Sequence, residues 1–154
     1  MAASYYGTPR TTIDADFIVH LVPRGVEKFL TGLETIGLRV NRDRVRRQLK
    51  AGYNVISVQD RLSPHTADFI LTRNVERRRG TLLRLVAYYQ SPESLLLAKL
   101  RMIKATQPRR RSYKDEEDIK AILANTRINM GSVRRRAKRE TTGEILRDIT
   151  RVEK

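Results

Sequence analysis

The residues best suited to chemistry gather in one short stretch, Arg10-Thr11-Thr12-Ile13-Asp14-Ala15-Asp16, which runs directly into the apolar Phe17-Ile18-Val19-His20-Leu21-Val22. Side chains alternate between the two faces of a β-strand, so Asp14 and Asp16 point one way while Phe17, Val19 and Leu21 point the other. Two carboxylates so placed form half of a divalent-cation site. Mg2+ demands near-octahedral oxygen geometry, so the pair needs a third ligand or a substrate phosphate to complete it. Asp68, within Ala67-Asp68-Phe69-Ile70-Leu71, is the candidate, because a charge inside an apolar strand needs a reason to be there. If that strand pairs with the first at the usual spacing of about 4.8 Å, three carboxylates converge on one metal, or on two about 3.5–4 Å apart. Taken alone, an Asp-x-Asp strand is also what an exposed sheet edge or a turn would give.

The elements that must hold these residues follow from hydrophobic periodicity. Residues 1–7 read as the end of a helix closing at Gly7, Thr8-Pro9 as a turn, and residues 13–22 as a strand stopped by Pro23. Val26, Phe29, Leu30 and Leu33 fall at i, i+3, i+4 and i+7, the core stripe of a helix that closes at Gly37. Asn41 caps a basic helix through Lys50, with Val45 and Leu49 inward and its arginines expected to form a solvated face. Tyr53–Val58 and Thr66–Leu71 read as neighbouring strands, Glu76–Arg79 as a charged segment, and Thr81–Tyr89 as one further strand. At Ser91-Pro92-Glu93 the period changes from 2 to 3.6, the signature of a capped helix start, with Leu96, Leu100 and Ile103 as its buried row. Arg109-Arg110-Arg111 reads as a basic linker. Lys114-Asp115-Glu116-Glu117-Asp118 opens another helix, and basic helical segments at about 130–139 and 140–151 complete a helical tail. The expected fold class is α+β, organised as a strand-bearing core over residues 1–90 and a helical region over residues 91–154.

Composition narrows the partners. The net charge is +15, with 24 arginines against 8 lysines, so the surface attracts polyanions, and guanidinium is the better bidentate phosphate binder. Growth temperature or genomic base bias would also enrich arginine. Cysteine is absent, which excludes disulfides, thiolate metal sites and cysteine nucleophiles. No apolar run approaches the roughly 18 residues needed to span a bilayer, and the start lacks a signal-peptide core. The expectation is therefore a cytoplasmic protein with no membrane partner.

In order, Arg10-x-Thr12-x-Asp14-x-Asp16, Tyr53-Asn54-Val55-Ile56, Asp68-Phe69-Ile70 and Ser91-Pro92-Glu93-Ser94-Leu95-Leu96-Leu97-Ala98-Lys99-Leu100 resemble the nucleotidyltransferase superfamily of the polymerase beta fold. The likeness covers roughly residues 1–123 and is closest to the branch of minimal nucleotidyltransferases and AbiEii-type toxins. It implies a mixed sheet flanked by helices, a magnesium- or manganese-carboxylate site, and transfer of a nucleoside monophosphate from a nucleoside triphosphate to an RNA, such as a tRNA, or to a partner or antitoxin protein. By that resemblance Asp14 and Asp16 correspond to the paired metal ligands, and Asp68 to the third carboxylate and general base. Arg10 and Thr12 correspond to phosphate contacts, and Lys99 to the lysine near the triphosphate.

Lys99 shares an apolar row with Leu95 and Ile103, where a snorkelling lysine is the plainer alternative. Asp115 and Asp118 match the family's following Lys-Asp-x-x-Asp-Ile segment; they either stabilise the positive end of their helix or anchor Lys99 across the helix pair. His20 is expected to pack. The family also carries a strand ending in Gly-Gly or Gly-Ser ahead of the first helix, which this chain does not contain; the expectation is either a start placed too far downstream or a truncated, inactive relative. Two readings without nucleotide transfer remain beside it: a noncatalytic nucleic-acid-binding protein on the same fold, and a nuclease built on the three carboxylates.

Overall fold

The computed structural model describes residues 2–9, 13–73, 77–82, 84–106 and 112–151, and the fold is α+β. In chain order the elements are α1 (Ala2–Tyr6), β1 (Asp14–Val19), α2 (Val26–Thr35), β2 (Leu38–Arg39), α3 (Arg42–Lys50), β3 (Val55–Asp60), β4 (Thr66–Leu71), β5 (Arg78–Leu82), β6 (Leu85–Tyr89), α4 (Pro92–Ala105), α5 (Tyr113–Asn125), α6 (Met130–Arg139) and α7 (Gly143–Arg151). Two compact units divide the chain: Thr11–Val75, and Met1–Arg10 together with Glu76–Lys154. Among the described residues, no helix is long and apolar enough to cross a membrane.

In the Thr11–Val75 unit a four-stranded sheet runs in the order β1-β4-β3-β2. β1 pairs parallel with β4, and the other neighbours pair antiparallel. A parallel partner requires a crossover, and the chain from α2 through β3 supplies it. One sheet face is apolar: Ile56, Val58, Ala67 and Phe69 pack against Leu30, Leu33 and Val45 of the two helices. The helix stripe read from Val26, Phe29, Leu30 and Leu33 is the face that packs. Phe17 stacks on Phe69 with ring centroids 5.1 Å apart, yet remains 39% exposed because β1 is an edge strand. Gly37 follows α2 at φ +92, a left-handed conformation that only glycine adopts at little cost, and so ends the helix where expected.

Of the arginines of α3, Arg44 and Arg47 are exposed as expected, while Arg42 and Arg46 are engaged. Arg42 Nε donates to Glu34 Oε1 at 3.1 Å and Arg42 Nη1 to Glu27 Oε2 at 2.9 Å, while Arg46 grips both oxygens of Glu27 at 2.9 and 3.0 Å. Asn41 caps α3 as read, its side chain accepting from the Arg44 amide at 2.9 Å. This network ties α2 to α3 at the rim of the core. Hydrogen bonding from Arg46 holds Glu27 below the ordinary glutamate range, and hydrogen bonding from Arg42 does the same for Glu34.

In the other unit Leu96, Leu97, Leu100, Ile103, Ile119, Val133 and Leu146 form the core of a four-helix array. Ser91 caps α4 with Pro92 in its first turn, as the sequence indicates. Residues 81–89, expected as one strand, belong to two: β5, which begins in the charged segment at Arg78, and β6 form an antiparallel hairpin turned at Arg84, which takes φ +67. Its inner face carries Tyr89, which packs with Tyr6 and Ile122 and stacks on Tyr5 at 4.1 Å. A Cβ at Gly80 would lie 2.8 Å from the Tyr5 hydroxyl and 2.9 Å from the Tyr89 ring, so the stack requires glycine there.

The lowered values of Glu27 and Glu34 set a sign for acid stability. Their contribution is present above the ordinary value near 4.5 and is lost as pH falls through the lower folded-state value. The melting temperature, followed by circular dichroism, is expected to drop from about pH 5 to about pH 3 and to drop less steeply in Glu27→Gln/Glu34→Gln; equal slopes would exclude this network as a source of acid sensitivity.

Candidate functional site

The face of the sheet opposite the apolar one is built by strand register. Asp16 stands directly across from Asp68, and Asp14 across from Thr66, because β1 and β4 are parallel and in step. Directly paired residues share a face, so all three carboxylates project from the side of the sheet that Phe17, Phe69 and Ile56 do not occupy. Continuing across the sheet, Asp68 faces Ser57 and Thr66 faces Gln59 on β3. One end of the face is thus a band of oxygen donors, while Ile18, Ile70 and Val55 make the other end apolar.

The structure brings Asp16 and Asp68 together and engages Asp14 with Thr66, whose hydroxyl donates to Asp14 Oδ1 at 2.5 Å. Asp14 and Asp16 are exposed and Asp68 is half-buried. Among the described residues no group of three or more His, Cys, Asp or Glu side chains is gathered as a ready ligand set. The donor chemistry is nonetheless that of a hard cation, carboxylate and hydroxyl oxygens without soft or imidazole ligands. Arg10 and Thr12 lie outside the described residues, as does the Arg109-Arg110-Arg111 linker. His20 is exposed just past β1 rather than packed. Thr66 escaped the sequence reading, although the signal was present: it precedes Asp68 by two, as Asp14 precedes Asp16, so in-step pairing sets it against Asp14.

A second polar cluster belongs to the helical unit. Lys99 projects from α4 and its Nζ meets Asp115 Oδ1 at 2.8 Å and Asp118 Oδ2 at 2.6 Å, both on α5. The three side chains are only 13%, 25% and 11% exposed. Spaced three apart, the aspartates share one helix face, so both reach the same ammonium. Of the two roles considered for Asp115 and Asp118, bracing Lys99 across the helix pair is the one their contacts support. The ammonium has three N–H donors and these carboxylates take two.

A shallow surface depression of the sheet unit, about 490 Å³, is lined by Leu21, Gly25, Lys28, Phe29, Gly32 and Leu33 and contains no carboxylate. It is a largely apolar recess beside α2, with Lys28 as the one charged residue of its lining.

Lys99→Met would leave Asp115 and Asp118 facing an apolar side chain at a shielded helix interface. It is expected to lower the unfolding free energy by roughly 1–3 kcal/mol in urea denaturation, and Asp115→Asn with Asp118→Leu, added to Lys99→Met, is expected to recover most of the loss. A Lys99→Met protein as stable as the parent would show that the cluster contributes nothing to the fold.

Compared with known proteins, the chain matches no protein-family model and no curated protein.

Proposed function

We propose that this protein is a divalent-metal-dependent nucleotidyltransferase that moves a nucleoside monophosphate from a nucleoside triphosphate to a hydroxyl of an RNA or protein acceptor, in the manner of a toxin acting in the cytoplasm. The observation that carries this reading is the parallel register of β1 and β4, which sets Asp16 against Asp68 with Asp14 on the same face. Like charges placed directly across a strand pair are destabilising, and a bound cation would reverse that.

In this reading Asp14 and Asp16 hold Mg2+ or Mn2+, which supplies charge neutralisation for the triphosphate when bound. Asp68 accepts the proton of the acceptor hydroxyl; the acceptor oxygen then forms its bond to the α-phosphorus, the bond to the bridging oxygen breaks, and pyrophosphate leaves with its electron pair. Thr66 fixes the orientation of Asp14 through their hydrogen bond. Lys99, braced by Asp115 and Asp118, keeps one N–H that the two carboxylates do not take, and a phosphate-binding role for it, as for Arg10 and Thr12, is what the family resemblance implies.

A net charge of +15 favours a second reading, in which the protein binds nucleic acid without catalysis. Isothermal titration distinguishes the two. With Mg2+ present, at least one of the four nucleoside triphosphates is expected to bind, and Asp16→Asn and Asp68→Asn are each expected to weaken that binding about tenfold or more. Failure of all four to bind would overturn the transferase reading, and RNA cleavage without any nucleoside triphosphate would replace it with a nuclease.

A further inference from the structure

The outer face of the β5–β6 hairpin is a surface of a different kind. Register sets Arg79 opposite Tyr88 and Thr81 opposite Val86. Alternation therefore puts these four side chains on the face away from Tyr89 and Ala87, which pack against Tyr6. Tyr88 is 61% exposed and Val86 55%. The Arg77 guanidinium lies over the Tyr88 ring, 5.9 Å from its centroid. Neither Arg77 nor Arg79 is held by a carboxylate among the described residues, in contrast to Arg42 and Arg46. At the turn Arg84 takes φ +67, a conformation far easier for glycine or asparagine, so the tip keeps a cation where backbone preference alone would not put one.

An exposed aromatic ring among guanidiniums that no carboxylate of the described residues holds suits one ligand chemistry above others. The ring offers a stacking surface to an unpaired base, and the arginines neutralise the phosphates on either side of it. A duplex keeps its bases stacked on each other and would leave the ring unused. An acidic peptide would use the cations but not the ring. Thr81, on the same face, adds a hydroxyl that can donate to or accept from a ribose 2′-hydroxyl, a group that DNA lacks.

We propose that the outer face of β5–β6 is a binding surface for single-stranded RNA, with Tyr88 stacking on a base, Arg77, Arg79 and Arg84 holding the flanking phosphates, and Thr81 bonding a 2′-hydroxyl. The surface belongs wholly to the helical unit and does not depend on the reading of the carboxylate face.

Fluorescence anisotropy of the full chain with a labelled, unstructured oligoribonucleotide tests it, against DNA of the same sequence and against the RNA duplex. The single-stranded RNA is expected to bind most tightly. Tyr88→Ala is expected to weaken binding about tenfold, and Tyr88→Phe to retain it. Arg79→Ala is expected to reduce the slope of log affinity against log salt by roughly 0.7, one phosphate contact on a single strand. Because Tyr88 and Arg79 are exposed, the circular dichroism spectrum should not change in any variant. Unchanged affinity in Tyr88→Ala, equal binding of DNA or of the duplex, or no RNA binding by the parent would each overturn the proposal.

Discussion

Everything distinctive about the sheet unit depends on one pairing, the parallel alignment of β1 with β4 in which Asp16 meets Asp68. A one-residue slip would send every side chain of β1 to the other face, driving Asp14 and Asp16 into the space where Leu30, Leu33 and Phe69 pack and exposing Phe17 and Val19. The apolar alternation of β1 and β4 thus locks the register through the core, and the core in turn forces two carboxylates together on the opposite face. Hydrophobic packing does work against electrostatics here. On our proposal a bound cation would relieve that opposition; an edge needing only solubility could carry its charges on staggered positions.

Elsewhere in the chain, two groups of charges are arranged in compensating sets. Glu27 and Glu34 receive Arg42 and Arg46 across the α2–α3 seam, and Lys99 receives Asp115 and Asp118 between α4 and α5. The first set is half-exposed at the rim, so its contribution is modest and sensitive to salt and acid. The second is shielded, so its geometry fixes how α4 and α5 pack and holds an ammonium at a defined place. Arg77 and Arg79 at the β5–β6 hairpin are held by no carboxylate among the described residues, and Arg77 lies instead over the Tyr88 ring. Net charge alone could not make this distinction, because +15 counts paired and unpaired guanidiniums alike.

What could be read from the sequence follows the range of the interaction involved. Caps and stripes are local, so Asn41, Ser91-Pro92 and the Val26–Leu33 row declare their helices without knowledge of any partner. The common face of Asp14 and Asp16 follows from strand parity alone. Their relation to Asp68 was only conditional, because pairing β1 with β4 joins residues 52 apart and nothing local specifies the step. The hairpin at 78–89 was hidden for another reason: Thr81-Leu82-Leu83-Arg84-Leu85 contains none of the usual turn residues, and the reversal rests on an arginine at positive φ. Asp115 and Asp118 look like ordinary first-turn acids until the packing of α5 on α4 shows which cation they face. The two-residue strand β2 is too short for any periodicity to mark it.

Titration of Mn2+ into isotopically labelled protein, followed by 1H–15N NMR, tests most directly whether the β1–β4 register builds a cation site. The account predicts paramagnetic broadening of the amides of Asp14, Asp16 and Asp68 at low metal concentration, and its loss in Asp16→Asn/Asp68→Asn. Amides of β1 and β4 that stay sharp, or broadening that persists in the double variant, would contradict it.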